Sequence, residues 1–205
     1  MATSGAREFS ADPDAPAGRV SMTLPSGLDG LALPGSIFHV GILAENLEAA
    51  IARHTNALGI EFLAPVERRL ARFVDDVAGT AGPVTLRYTY SVGGPPRFEL
   101  LEARPTGFYV GDGLHHVGAW SADVVAATRA LARHSVRREA AIETADGELV
   151  AAYFRPEDLG GTRLELVSER SVEFIDTWVR TGAHWRPAVN GARTGSESPA
   201  PHRPL

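Results

Sequence analysis

Apolar and polar positions along the chain fall into two similar runs. Residues 36–43 are apolar and β-branched, as a buried strand requires. Asn46 follows as an N-cap, Leu47, Ile51 and Leu58 recur at helical spacing, and Gly59 stands in the C-cap place. From 60 to 74 the pattern turns mainly alternating, with Val66, Arg68, Leu70, Arg72 and Val74 on one face. This predicts a strand, with a helix through 66–78 as its competitor. A turn at 79–83 leads to a strand at 84–91 with Val84, Leu86, Tyr88 and Tyr90 on one face. A tight connection at 93–96 and a strand at 97–103 complete a β-α-β-β-β order. After a linker at 105–113 the order recurs. A strand at 114–120 leads to a helix capped by Ser121 or Asp123 and running to about 134. Strands at 136–142 and 148–154 flank a turn at 145–147, and a loop at 155–161 precedes a last strand at 162–167. Val172, Phe174, Ile175, Trp178 and Val179 predict a C-terminal helix. The expected organisation is a disordered arm at 1–34, modules at 35–104 and 113–169, a helix at 170–183 and a disordered tail at 184–205.

The two runs match residue by residue. Laying His39 on His116 superposes His-Val-Gly on His-Val-Gly, Asn46 on Asp123, and Ala49-Ala50 on Ala126-Ala127. Downstream, Phe98-Glu99-Leu100-Leu101 resembles Leu164-Glu165-Leu166-Val167. Each half therefore opens with a His in one apolar strand and closes with a Glu in another. Alternation aims His39 to one face and Phe38 to the other, and separates His116 from His115 in the same way. A lone carboxylate in an apolar strand needs a counter-charge. A divalent cation shared by His39, Glu99, His116 and Glu165 supplies it. Such a mixed N2O2 set suits Mn, Fe, Co, Ni or Zn. His115 reads as a satisfied or supporting residue rather than a ligand.

Composition narrows the chemistry further. The chain has no Cys, which excludes thiolate nucleophiles, disulfides and iron–sulfur clusters. It also has no Lys, all twenty basic residues being Arg, which excludes Schiff-base catalysis and a P-loop. A net charge of −5 gives no footprint for nucleic acid or an anionic membrane. No run suits a spanning helix or a signal peptide, so the expected location is cytoplasmic. Tyr88, Tyr90 and Tyr153 are candidates to line a cavity, and Trp120 to wall it. Arg87, Arg97 and Arg163 are candidates to anchor an anionic substrate. Glu102 and the Arg68-Arg69-Arg72 cluster read as surface.

At Gly113-Leu114-His115-His116-Val117-Gly118, Phe98-Glu99-Leu100-Leu101-Glu102 and Gly160-Gly161-Thr162-Arg163-Leu164-Glu165, the chain resembles the vicinal oxygen chelate superfamily. This group includes glyoxalase I, extradiol dioxygenases and drug-resistance proteins. The motifs are most similar to those of the methylmalonyl-CoA epimerases, whose catalytic Glu on the third strand falls near Thr85 here. The resemblance covers about 36–169. It implies an α+β fold of two tandem βαβββ modules curled into an open barrel or cup. One divalent metal ion (Zn, Co, Ni, Mn or Fe) would sit on His39, Glu99, His116 and Glu165. The implied activity is that of a metal-dependent isomerase, epimerase or lyase. It would move a proton next to a chelated carbonyl of a small-molecule substrate bearing vicinal oxygens. Glu99, Glu165 or Tyr88 would serve in catalysis, and Arg87, Trp120 and Tyr153 in substrate binding. An Fe(II) extradiol-type dioxygenase and a non-catalytic drug-binding protein remain open. A homodimer, with the C-terminal helix contributing, is also implied.

Overall fold

A computed structural model describes residues 37–184. The arm expected at 1–34 and the tail beyond 184 lie outside the described residues. The first module comprises β1 (Ile37–Ala44), α1 (Leu47–Leu58), β2 (Val66–Asp75), β3 (Thr80–Tyr90) and β4 (Arg97–Glu102). The second comprises β5 (Gly113–Ser121), α2 (Val124–Arg133), β6 (Arg138–Glu143), β7 (Leu149–Phe154) and β8 (Leu164–Ser168). A short 3₁₀ turn leads into α3 (Val172–Thr181). The α+β architecture of two βαβββ modules around a cup is therefore present. No described helix is long and apolar enough to cross a membrane.

The strands hydrogen-bond in the order β1-β4-β3-β2-β6-β7-β8-β5, and β5 returns to β1. The modules meet at two antiparallel seams, β1 with β5 and β2 with β6. Helix caps follow the local sequence. Asn46 and Asp123 accept from the amides of Ala49 and Ala126 at 2.9 Å each. Gly59 adopts φ 67° at the end of α1, where a Cβ would be strained. Outside the barrel, α1 covers Ala44 and Leu100, and α2 covers Ala119, Phe154 and Leu166. The inner core holds Leu43, Leu70, Phe73, Leu86, Leu101 and a set of tyrosines.

Three departures from simple alternation shape the interior. In β2 the pairing with β3 shifts between Leu70 and Phe73. Phe73 thereby takes the inward place, while Arg72 turns out to meet Glu143 at 2.8 Å. In the β1–β5 seam the register shifts at Phe38 and again at His115. These are equivalent residues of the two repeats, each one position ahead of the repeated His. A bulge lets consecutive side chains share a face. Phe38 therefore lines the interior beside Glu99 and Glu165 instead of pointing away from His39. In addition, β3 starts at Thr80, so the turn expected at 79–83 sits at 76–79.

The two ends of the barrel are filled differently. Phe108 and Tyr109 of the linker pack on Phe73. Trp178 of α3 meets Tyr88 and Tyr90 edge-on, at ring separations of 5.4 and 5.7 Å. Ile175 and Trp178 are both buried. The apolar face of α3 is thus turned largely onto its own barrel.

Candidate metal centre

The repeated His-Val-Gly has a geometric reason. Across the seam, His39 pairs with Gly118, and Gly41 pairs with His116. On the outer neighbours, Gly41 pairs with Glu99 and Gly118 with Glu165. Two rows therefore run across four adjacent strands: Glu99–Gly41–His116 and Glu165–Gly118–His39. In each row the central glycine leaves a gap into which the imidazole lies. A Cβ on Gly41 would come within 2.0 Å of the His116 ring, and one on Gly118 within 2.0 Å of the His39 ring. Each imidazole thus rests on the glycine of the other module and points toward its row's carboxylate.

The result is a dense, buried donor cluster. His39 Nε2 and His116 Nε2 are 2.8 Å apart. Glu165 Oε2 lies 3.1 Å from the first and 3.3 Å from the second. Glu99 Oε2 lies 3.5 and 3.3 Å from the same two nitrogens. His39, His116 and Glu165 form a group whose ligand atoms all lie within 4.8 Å of one another. Donors about 2.1 Å from a central ion stand roughly 3.0–3.4 Å apart along the edges of an octahedron or tetrahedron. The donor set fits a divalent transition metal on that measure and on its chemistry.

Protonation follows from the same contacts. Burial pulls the His116 imidazolium down, but Glu165 and then Glu99 outweigh it and hold the pKa at about 9. Burial raises Glu165, yet His116 and His39 hold its carboxyl well below the usual range. His115 touches His116, with the Nδ1 atoms 3.0 Å apart, rather than facing away from it. Burial, then the neighbouring His116 and Arg163, push His115 down to about 3, so it is neutral. Its Nε2 lies 3.3 Å from the Phe108 carbonyl, which can only accept. His115 Nε2 therefore donates, His115 Nδ1 accepts, and His116 Nδ1 carries a hydrogen. This chain leaves His116 Nε2 facing the cluster. His39 Nδ1 is buried with no partner among the described residues.

Tyrosines complete each half. Tyr90 stands opposite Glu99, and Tyr153 opposite Glu165. Their rings meet His39 and His116 edge-on, at 5.7 and 5.4 Å. Burial first, then the carboxylates, raise both phenols well above their ordinary value. Tyr88 lines the same cavity and is pushed up to about 12, chiefly by burial. All three stay protonated at neutral pH, so they can donate a proton but not abstract one. The equivalence of Tyr90 and Tyr153 is hidden in the sequence because Tyr90 lies nine positions before Glu99 and Tyr153 twelve positions before Glu165.

Two expected substrate contacts are elsewhere. Arg87 lies on the outer face of β3, between the inward Leu86 and Tyr88, and is bound by Glu48 of α1 and by Glu102. Trp120 stacks on Phe38 at 3.6 Å between ring centroids and serves packing. Tyr153 does line the cavity, while Arg68, which reads as surface in the sequence, lines it too. The cavity measures about 70 Å³. A broader depression of about 360 Å³ beside Gly59, Glu61, Ser91 and Phe98 lies outside the barrel and includes none of the donors.

A crossed pair of βαβββ modules around inward His and Glu side chains defines a class of metal-chelating cup proteins. The family model of the glyoxalase/bleomycin resistance protein/dioxygenase superfamily matches residues 38–153, and the chain belongs to this superfamily, the vicinal oxygen chelate group. No curated protein sequence matches the chain. Among solved structures, a methylmalonyl-CoA epimerase in complex with methylmalonyl-CoA and NH4+ is 23% identical. The match covers 68% of this chain and 97% of that one, with a TM-score of 0.49. A variant of the Streptomyces coelicolor epimerase in complex with 2-nitronate-propionyl-CoA has the same identity, coverages and score. The Mycobacterium tuberculosis epimerase is 22% identical over 65% of this chain and 87% of its own, with a TM-score of 0.43.

Proposed function

We propose that this chain is a metal-dependent isomerase, epimerase or lyase that moves a proton next to a carbonyl of a small substrate. The observation that carries this reading is the pair of glycine-seated rows that bring two imidazoles and two carboxylates to one point. His39, His116 and Glu165, the tightest group, would hold the ion. Glu99 stands farther than Glu165 from His39, at 3.5 against 3.1 Å, and is the best placed to move a proton. A bound divalent cation supplies Lewis-acid stabilisation of negative charge on a substrate oxygen. Glu99 takes the proton from the neighbouring carbon. Tyr88, Tyr90 and Tyr153, kept protonated, donate hydrogen bonds to developing negative charge. The apolar core and α3 keep water out.

Protein purified without chelator should carry about one equivalent of a divalent metal. His116→Ala and Glu165→Ala should lose it, and full occupancy in both variants would refute the site. Glu99→Gln should keep the metal but exchange the α-hydrogens of a bound small keto or hydroxy acid with deuterium oxide about 100-fold more slowly or worse.

The tight His39–His116–Glu165 group also favours a second reading, an Fe(II) dioxygenase with two His and one carboxylate. Oxygen uptake with catechols by the iron-loaded protein would select it. Glu99, within 3.3 Å of His116 Nε2, weighs against it. This reading includes pairing of two chains, which sedimentation of the full chain would check.

A further inference from the structure

Among the described residues, the cavity lining holds one arginine, Arg68, and it meets no carboxylate. Arg163 is clasped by Glu139 at 2.7 Å, Arg97 is bound by Asp176 at 3.1 Å, and Arg87 by Glu48 and Glu102. Arg68 makes no ion pair among the described residues, although it is half-buried and lines the cavity with Glu99, Glu165 and Tyr153. Strand alternation aims it inward. It shares the inner face of β2 with Leu70, and Leu86 stands opposite it on β3. Its guanidinium lies 5.5 Å from the ring centroid of Phe174 on α3, a contact that supports a cation without neutralising it. The neutral Tyr88 phenol also meets it through its hydroxyl and likewise leaves the charge in place. A partly desolvated cation without a counter-charge is costly, and an arriving anion removes that cost.

Size supplies the second constraint. The space between the donors and α3 is about 70 Å³, with Ser171 and Ile175 in its wall. That is about half of the ~150 Å³ cavity that admits benzene. Trp178, 1% exposed, sits against Tyr88 and Tyr90, two residues of this wall, and so bounds the space on the side of α3.

We propose that Arg68 is the anion anchor of this cup and that the substrate is a small free carboxylic acid of about two or three carbons. The inference rests on the metal-centre reading through its charge balance. Glu99 and Glu165 offset a divalent cation, and Arg68 remains as surplus positive charge. The planar guanidinium takes the carboxylate by two parallel hydrogen bonds. The adjoining oxygen of the same acid then faces the donor cluster.

Calorimetric titration of the full chain with glycolate, its neutral amide glycolamide, and propionyl-CoA tests this, with metal content measured in every sample. Wild-type protein should bind glycolate, and Arg68→Gln should weaken it about tenfold or more. Arg68→Lys should fall between the two. Glycolamide should bind equally to wild type and Arg68→Gln, and the metal content should not change. No glycolate binding by the wild type overturns the proposal. So does equal glycolate affinity in Arg68→Gln, an equal loss of glycolamide, or tighter binding of propionyl-CoA that ignores Arg68. If the wild type holds no metal, the metal-centre reading fails by itself, and the dependence of glycolate binding on Arg68 is still scored.

Discussion

At the residue scale, the centre depends on side chains that are absent as much as on those present. Gly41 and Gly118 keep ordinary backbone conformations, so their requirement comes from space alone. Gly41→Ala and Gly118→Ala should each fold, yet displace an imidazole and weaken metal binding about tenfold or more in equilibrium titrations. Wild-type affinity in both would mean that the rings have other seats. His115 acts through His116. His115→Phe removes the acceptor for His116 Nδ1–H, and such supporting contacts typically govern metal affinity by about 10–100-fold. His115→Gln, which can still accept, should recover part of that loss. The repeated His, Gly and Glu were legible in the sequence because each recurs in a matching apolar frame. Arg68 was not, because an alternating strand with Arg on both faces leaves the inward one unmarked. Arg87 differs: alternation with Leu86 and Tyr88 already places it on the outer face, and only its partners Glu48 and Glu102, distant in the chain, were hidden.

At the scale of elements, the strand and helix order was legible throughout, since caps and hairpin residues punctuate it. The bulges were not. Alternation assumes an unbroken ladder, and one extra residue at Phe38 or His115 reverses which side chains meet. The position of α3 was equally hidden: its apolar face announces a partner without saying that the partner is the barrel's own interior. Trp178→Ala should therefore cost about 3–5 kcal/mol in chemical denaturation. Asp176→Ala, which breaks the exposed end of the pair with Arg97, should cost less than about 1 kcal/mol. Equal effects would mean that the ion pair, not the indole, holds the helix.

At the scale of the whole molecule, the buried cluster ties stability to pH. The His116 pKa of about 9 lies above the ordinary 6.5. Its contribution is complete below about pH 6.5 and is lost as pH rises through about 9. Glu165, depressed from 4.5, contributes above that value and loses its effect as pH falls. The melting temperature of chelator-treated protein should therefore decline between about pH 6.5 and 9. Metal-loaded protein should show the opposite trend there, because the ion must displace the His116 proton and binds more tightly as that proton leaves. Parallel trends with and without metal would refute the link.

The crossed rows carry one more implication. Because either half supplies the resting place for its sibling's ring, neither copy can drift alone at these positions. A lone half, expressed by itself, would possess one imidazole, one acid and no counterpart to lean on. The duplication is in this sense locked: the halves are free to diverge in their helices, hairpins and outer faces, but at the seam they must change together or not at all.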